Sequence, residues 1–264
     1  MGSRAQRAAL LVRFASLGSG SRGNGTVISH HDTHVLLDCG FGYRDAVTRL
    51  ARLGLEPDAL AAIVVTHEHS DHWGGVAALA SKHDLPVYAS RGTWIEVRGH
   101  NLSHAVEMRG AFQVGDISIQ PVTVPHDARE PVQCVFESDG QRLGVLSDLG
   151  SVSQAVVAAF KELDALSVEF NHDREMLWAG PYPEFLKTRV GGDYGHLNNT
   201  QAAQLVQAVQ DPRLHTVVAC HVSETNNTPE LVRDALDLAL NGSAIERIVA
   251  SQADGLDWMN VGQQ

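Results

Sequence analysis

The sequence predicts an α/β protein of four layers, with two β-sheets face to face between outer helices, an αββα sandwich. Two observations carry this. Apolar runs of strand length gather as hairpins in each half of the chain, and segments with one apolar helical stripe separate the other strands. No Pro/Gly/Ser-rich linker and no repeat of solenoid length divides the 264 residues, so the chain reads as one domain, 1–264.

The elements follow in order. Residues 1–10 are a basic lead-in, expected to be disordered; its apolar part, about five residues long, is short for a signal peptide. Residues 11–17, 26–30 and 33–38 read as strands, the last two forming a hairpin across His31-Asp32. Tyr43, Ala46, Val47, Leu50 and Leu53 keep helical spacing, and Gly54 ends that helix. A short apolar strand at 61–66 leads to a helix over 72–83, the strand PVYA and a short helix at 92–98. Strands 117–124, 132–138 and 141–147 come next, then helix 151–161 and strand 165–170. Helices 182–190 and 199–209 precede strand 215–220. Thr228-Pro229 opens a further helix, since proline suits a first turn, and strand 245–250 closes the chain.

Composition narrows the classes. With 44% hydrophobic residues the chain buries a full core. It has no run of 18 apolar residues, which excludes a membrane-spanning helix at the level of pattern. Cys39, Cys134 and Cys220 are odd in number, far apart and flanked by apolar residues, the usage of buried thiols in a cytoplasmic protein. The formal charge of −11 excludes a surface that binds nucleic acid by bulk electrostatics. Two bound divalent cations bring it only to about −7. An anionic substrate must therefore be held locally.

The stretch Thr66-His67-Glu68-His69-Ser70-Asp71-His72-Trp73-Gly74-Gly75 is the strongest chemical signal. In an extended segment alternate side chains share a face, so His67 and His69 reach one ion together. Asp71 and His72 fall at the following strand-to-helix turn, within reach of a second ion. Imidazole and carboxylate suit zinc and similar divalent metals.

This motif resembles the signature of the metallo-β-lactamase superfamily, and the resemblance continues in order over residues 11–240. It implies that His126 in VTVPHDA is the third histidine of the first metal site. It implies that Asp148 in GVLSDLG bridges both metals and that His221 in VVACHVS completes the second site. Asp71 is counted both as ligand and as part of the catalytic set. The segments LSVEFNHD, GPYPEFLKTRVGGDYGHLNNTQAA and CHVSETNNTPEL resemble the YycJ/WalJ branch, whose relatives are phosphodiesterases and DNA exonucleases. Glu169 and His196 also resemble the pair that serves the leaving group in ribonuclease Z.

The chemistry implied is a two-metal hydrolysis. Ions about 3.5–4 Å apart share a hydroxide as nucleophile, and a protonated imidazole, His196, kept oriented by Glu169, supplies the proton to the alkoxide. Two divalent ions per chain are expected, zinc first, with manganese or iron compatible with five histidines and two aspartates. The expected substrate is DNA. The alternative on the same ligands is a small-molecule hydrolase, a lactonase or thioesterase, which the charge favours; a binding module that kept its metals is a third reading.

The remaining polar stretches are weaker. The loop Gly18–Thr26 offers backbone N–H groups to an anion and, by the branch resemblance, forms a rim with Arg22 or Asn24 facing substrate. Lys187 and Arg189 lie two apart and cannot share a helix face well; Lys187 is taken as the phosphate contact. His30, His31 and His34 flank a hairpin turn and read as solvated. His172 reads equally as support for the site or as packing. Tyr43, Trp94, Trp178 and Phe185 read as core residues before they read as base-stacking ones.

Overall fold

The computed structural model describes residues 11–97 and 102–263; the lead-in over 1–10 and the end of the helix expected at 92–98 lie outside the described residues. The chain first lays down β1 (Arg13–Gly18), β2 (Gly25–His30), β3 (Thr33–Leu37), β4 (Ala62–Val64), β5 (Val87–Ala89) and β6 (Ala105–Glu107) as neighbours in one sheet. It then lays down β7 (Phe112–Val114), β8 (Ile117–Thr123), β9 (Val132–Ser138), β10 (Gln141–Leu146), β11 (Ala165–Glu169), β12 (Thr216–Cys220) and β13 (Glu246–Val249) in a second. The last strand, β14 (Leu256–Asn260), returns to the first sheet and pairs antiparallel with β1. Each sheet is thus half hairpin and half parallel. β1–β3 and β7–β10 pair antiparallel, while β3–β6 and β10–β13 run parallel.

Three apolar clusters show the four layers. The first joins the second sheet to α5 (Gln154–Ala159), α8 (Asn199–Val209) and α9 (Pro229–Ala239). Another joins the first sheet to α1 (Tyr43–Arg52) and α3 (Val76–His83). The third fills the space between the sheets, with Phe14, Val35, Leu37 and Val64 from one meeting Ile119, Phe136, Leu143 and Val145 from the other. Strand periodicity does the sorting: in β3, Val35 and Leu37 face the opposite sheet while Leu36 faces the helices. Each fully buried Phe or Leu contributes about 1.5–3 kcal/mol of transfer free energy, so a register slip would be costly.

The structure differs from the sequence reading at several elements. The helix expected at 72–83 is two, α2 (Ser70–Trp73) and α3, broken at Gly74-Gly75. A Cβ at Gly75 would overlap the Phe41 carbonyl, and Gly75 N–H donates to Cys39 O at 2.7 Å, so the chain must bend there to pack. β6, β7 and α6 (Arg174–Ala179) are short and weakly patterned, and the strand expected at 245–250 is followed by a further one, β14. The strand expected at 61–66 stops at Val64, and the segment carrying His67 and His69 is irregular. His30, expected to be solvated, is 1% exposed. Cys39, Cys134 and Cys220 are free and buried, and burial pushes the thiols of Cys39 and Cys220 up to about 12. Among the described residues, no helix is long and apolar enough to cross a membrane.

Candidate metal centre

Parallel pairing decides where the chemistry collects. β4, β10, β11 and β12 run in concert within their sheets, so the residues that follow them emerge at one edge of the sandwich. His67 follows β4, Asp148 follows β10, Glu169 ends β11 and His221 follows β12. His126 arrives three residues after β8, and His69 caps the start of α2, which carries Asp71 and His72.

The structure brings all seven expected ligands together. Donor atoms of His67, His69 and His126 lie within 4.8 Å of one another, as do those of Asp71, His72 and His221 and those of His67, His72 and Asp148. His126 Nε2 is 3.3 Å from His69 Nδ1. Asp148 stands between the two groups, with Oδ2 3.0 Å from His72 Nε2 and Oδ1 3.9 Å from His126 Nε2. Asp71 Oδ2 lies 3.5 Å from His72 Nε2 and 3.6 Å from His221 Nε2.

Each imidazole is held from behind by an acceptor. His67 Nδ1 meets Thr66 Oγ1 at 2.9 Å, and the Thr66 hydroxyl itself donates to Asp38 Oδ2. His69 Nε2 donates to Asp127 O, His126 Nδ1 to Gly195 O and His221 Nδ1 to Ser147 O, at 3.2, 3.0 and 3.0 Å. His72 Nδ1 donates to Asp38 Oδ2 at 2.8 Å. With the outer nitrogen protonated, the inner one turns a lone pair toward the others, the arrangement that orients metal-ligating histidines. His67 Nε2 is buried with no hydrogen-bond partner among the described residues. An orphaned imidazole nitrogen facing other donors and a buried carboxylate fits a cation.

The electrostatics agree. Burial pushes the imidazolium of His67 down, and neighbouring His72 adds to this. At His72 and His221 burial acts the same way but is outweighed by Asp148, with Asp38 at the one and Asp71 at the other, so both stand well above the ordinary histidine value. Burial alone would raise the carboxyls of Asp71 and Asp148; the histidines around them hold both well below the usual carboxylate range. A divalent ion would take the place of the extra protons on His72 and His221, which is how metal affinity couples to pH.

Glu169 and His196 adjoin this cluster directly: their donor atoms lie within 4.8 Å of those of Asp148 and His221, and His196 Nδ1 stands 3.5 Å from Asp148 Oδ1. Glu169 is fully buried and accepts from Leu149 N at 2.9 Å, Leu197 N at 3.1 Å and His196 Nδ1 at 3.1 Å. Burial raises its carboxyl, and His196 more than offsets this. The capping box of Asn198 and Gln201 fixes the start of α8 two residues beyond His196. Gly195 just before it passes so close to α7 (Glu184–Val190) that a Cβ would overlap the carbonyls of Arg189 and Val190. That passage positions the Gly195 carbonyl on His126.

The cluster opens into a cleft of about 310 Å³ lined by His69, Asp71, His196, Tyr182, Arg189 and Asn226 among others. The three residues expected to contact substrate are placed differently. Arg22 pairs with Glu224 at 2.8 Å and is 65% exposed outside the cleft. Asn24 is buried, its amide within 3.2 Å of Asp71 Oδ2 and 3.1 Å of His72 Nε2, so it props the cluster. Lys187 donates to Trp178 O at 2.7 Å and does not line the cleft; Arg189, two residues on, does, bound to Asp127.

Several contributors escaped the sequence reading. Asp38 ends the apolar run LLD beside the motif strand, the same signature as Asp148, and this signal was available. Glu68 accepts from Arg129 N at 2.7 Å and so anchors the loop of His126. Ser19 accepts from His221 N at 2.7 Å, which brings the glycine-rich loop to the rim by its first serine. Asn226, 1% exposed and lining the cleft, leaves both side-chain polar atoms without a partner among the described residues.

Known proteins share this arrangement of chain. Residues 33–221 match the family described as the Beta-lactamase superfamily domain. The chain is 34% identical to an exodeoxyribonuclease, YycJ, of Bacillus anthracis over 236 residues, covering 87% of this chain and 89% of that one. It is 33% identical over 227 residues to the exodeoxyribonuclease WalJ of Streptococcus pneumoniae, covering 83% and 84%. Among solved structures, the metallo-β-lactamase fold protein YhfI of Bacillus subtilis superposes with a TM-score of 0.74 at 14% identity, over 95% of this chain and 99% of that one.

Proposed function

The chain belongs to the β-lactamase superfamily of metal-dependent hydrolases, and we propose that it is a dinuclear phosphodiesterase that degrades DNA as an exonuclease. The observation that carries the choice is the Glu169–His196 pair at the cleft. A phosphodiester releases an alkoxide that needs a proton, whereas a thioester releases a thiolate that needs none; a lactone also releases an alkoxide, and against it the choice rests on the relatives. The two relatives named exodeoxyribonucleases support the same reading.

In this proposal His67, His69 and His126 hold one ion, Asp71, His72 and His221 the other, and Asp148 serves both. Two bound zinc ions would supply positive charge for the phosphate oxygens and make water a nucleophile near neutral pH. The chain supplies the rest. Glu169 accepts the proton of His196 Nδ1, so the imidazolium presents its second proton at Nε2 to the leaving oxygen. Its three hydrogen bonds fix that carboxylate, and so fix the ring. Arg189 offers a guanidinium to phosphate at the cleft wall, and Asn226 offers an unused amide. Tyr182 lines the cleft, and Phe185 lies one helical turn before Arg189 at 74% exposure; both suit stacking on bases.

A panel of labelled DNA, labelled RNA, bis-p-nitrophenyl phosphate and a lactone, each with Zn²⁺ or Mn²⁺, tests this. DNA turnover is expected to dominate. Lactone turnover exceeding it by orders of magnitude with every metal would replace the nuclease by the small-molecule hydrolase.

A further inference from the structure

We propose that the protein has an additional metal site, remote from the cleft, built from His30, His31 and Asp139 and taking a borderline divalent cation of the Zn²⁺, Ni²⁺, Cu²⁺ class. The site lies where the turn between β2 and β3 meets the turn between β9 and β10. β3 runs from that turn toward the cluster edge, as does β10. Five residues of strand at about 3.3 Å each put the turns about 15 Å or more from the catalytic donors. The two sites share no ligand.

His30 is the central observation. It ends β2 at 1% exposure, yet its Nε2 has no hydrogen-bond partner among the described residues. Its Nδ1 meets Ser138 Oγ at 2.7 Å, and the Ser138 hydroxyl donates to Asp116 O at 2.7 Å, so Ser138 accepts the Nδ1 proton. The relay repeats the Thr66–His67 pair of the catalytic cluster and leaves an inward lone pair in the same way. Asp139 Oδ2 stands 3.4 Å from that Nε2, and the ring of His31 lies 3.9 Å from the ring of His30. Donor atoms of all three residues fall within 4.8 Å of one another. A second carboxylate, Asp116, reaches His31 Nδ1 at 3.2 Å.

The backbone is bent to make this meeting. His31 and Asp139 both occupy the left-handed region, with φ of 49° and 48°, each at the start of a tight hairpin turn. Two imidazoles with one or two carboxylates are a nitrogen-rich set, which selects zinc, nickel or copper over magnesium or calcium. His30 ends a strand of the first sheet and His31 follows it, while Asp139 follows a strand of the second. A bound ion would tie the sheets together at the edge opposite the cleft and stabilise the native state without entering the reaction.

The test is zinc stoichiometry on chelator-stripped protein by equilibrium dialysis with elemental analysis. Parent is compared with the His31→Ala/Asp139→Asn variant, which alters only exposed turn residues. The same comparison is repeated in an Asp148→Asn background, which weakens the catalytic cluster. The proposal expects one ion fewer per chain in the turn variant in both backgrounds, with phosphodiester turnover of the parent retained. Should the double substitution unfold the chain, Asp139→Asn alone is expected to weaken the additional equivalent at least tenfold. Equal zinc content with and without the turn substitutions would overturn the proposal and leave His30–Asp139 as an ion pair.

Discussion

Replacing His196 by alanine separates the proton donor from the metal cluster. His196 lies within 4.8 Å of donors of Asp148, Glu169 and His221, but its Nδ1 faces Glu169 at 3.1 Å, and in the proposed mechanism seven other residues hold the ions. The substitution should therefore leave metal content unchanged. Loss of a positioned acid lowers turnover about 10²–10⁴-fold, which at 1.36 kcal/mol per decade is a barrier increase of about 3–5 kcal/mol. That loss applies to DNA. With bis-p-nitrophenyl phosphate the leaving anion is stable, so turnover should fall by less than about tenfold. Glu169→Gln probes the same unit more gently. Leu149 N and Leu197 N both donate to Oε1, so the glutamine oxygen is expected to stay with them and its amide to face His196 Nδ1. One charge-assisted hydrogen bond is lost, about 1.5–3 kcal/mol, hence a loss of about 10–10²-fold on DNA. The assay is steady-state turnover of an end-labelled duplex and of the chromogenic diester, with metal measured on the same samples. Equal losses on both substrates, or metal missing from the His196→Ala protein, would refute the assignment.

Removing metal by chelation should lower the thermal midpoint and restoring Zn²⁺ should raise it; Asp148→Asn should retain less metal than its parent and show a smaller rise, measured by calorimetry beside elemental analysis. Phe185→Ala should raise KM on DNA about tenfold and leave KM on bis-p-nitrophenyl phosphate unchanged, because only the polymer reaches the exposed ring; equal effects on both would remove it from strand binding. His172, 1% exposed, has its imidazole pushed down to about 4 by burial. Its folded value thus lies below the unfolded one near 6.5, so its contribution to stability is complete above about pH 6.5 and is lost as pH falls toward 4, on the order of 3 kcal/mol. Urea unfolding should show that slope, and His172→Gln should flatten it.

Part of the candidate cluster was legible because it is local, and the rest through the family resemblance of segments at strand ends. His67, His69, Asp71 and His72 fall within six residues, and His126, Asp148 and His221 each follow an apolar run. The layers were legible from period-two runs such as Val35–Leu37, whose alternation survives in the two cores they face. What stayed hidden depends on tertiary approach. Nothing local to Gly75 says that it must pack on the Phe41 carbonyl, so the break between α2 and α3 could not be read from the helical pattern. Lys187 and Arg189 are equivalent in sequence; the choice is made by how α7 sits on the cleft, with Asp127 holding one and the Trp178 carbonyl the other. β14 has a mixed pattern because its place is decided by the open edge of β1. His30 looked solvated because its neighbours are polar, whereas the second sheet covers it through Ser138.

The net charge of −11 is compatible with the proposed DNA substrate because of where the charges lie. Asp38, Asp71, Asp148 and Glu169 account for four of the acidic residues, and each is oriented toward imidazoles at the cluster. Two divalent ions would offset the charge of these four carboxylates, and field at the reacting phosphate depends on groups within a few ångström more than on the distant surface. The cleft wall adds Arg189. At a net charge of −11 a strand gains little bulk attraction from the protein, and in the proposed reading it is held by the metals, Arg189 and aromatic faces. Such an arrangement suits an enzyme that grips one end of a strand rather than one that tracks along its backbone, because tracking needs a continuous basic groove.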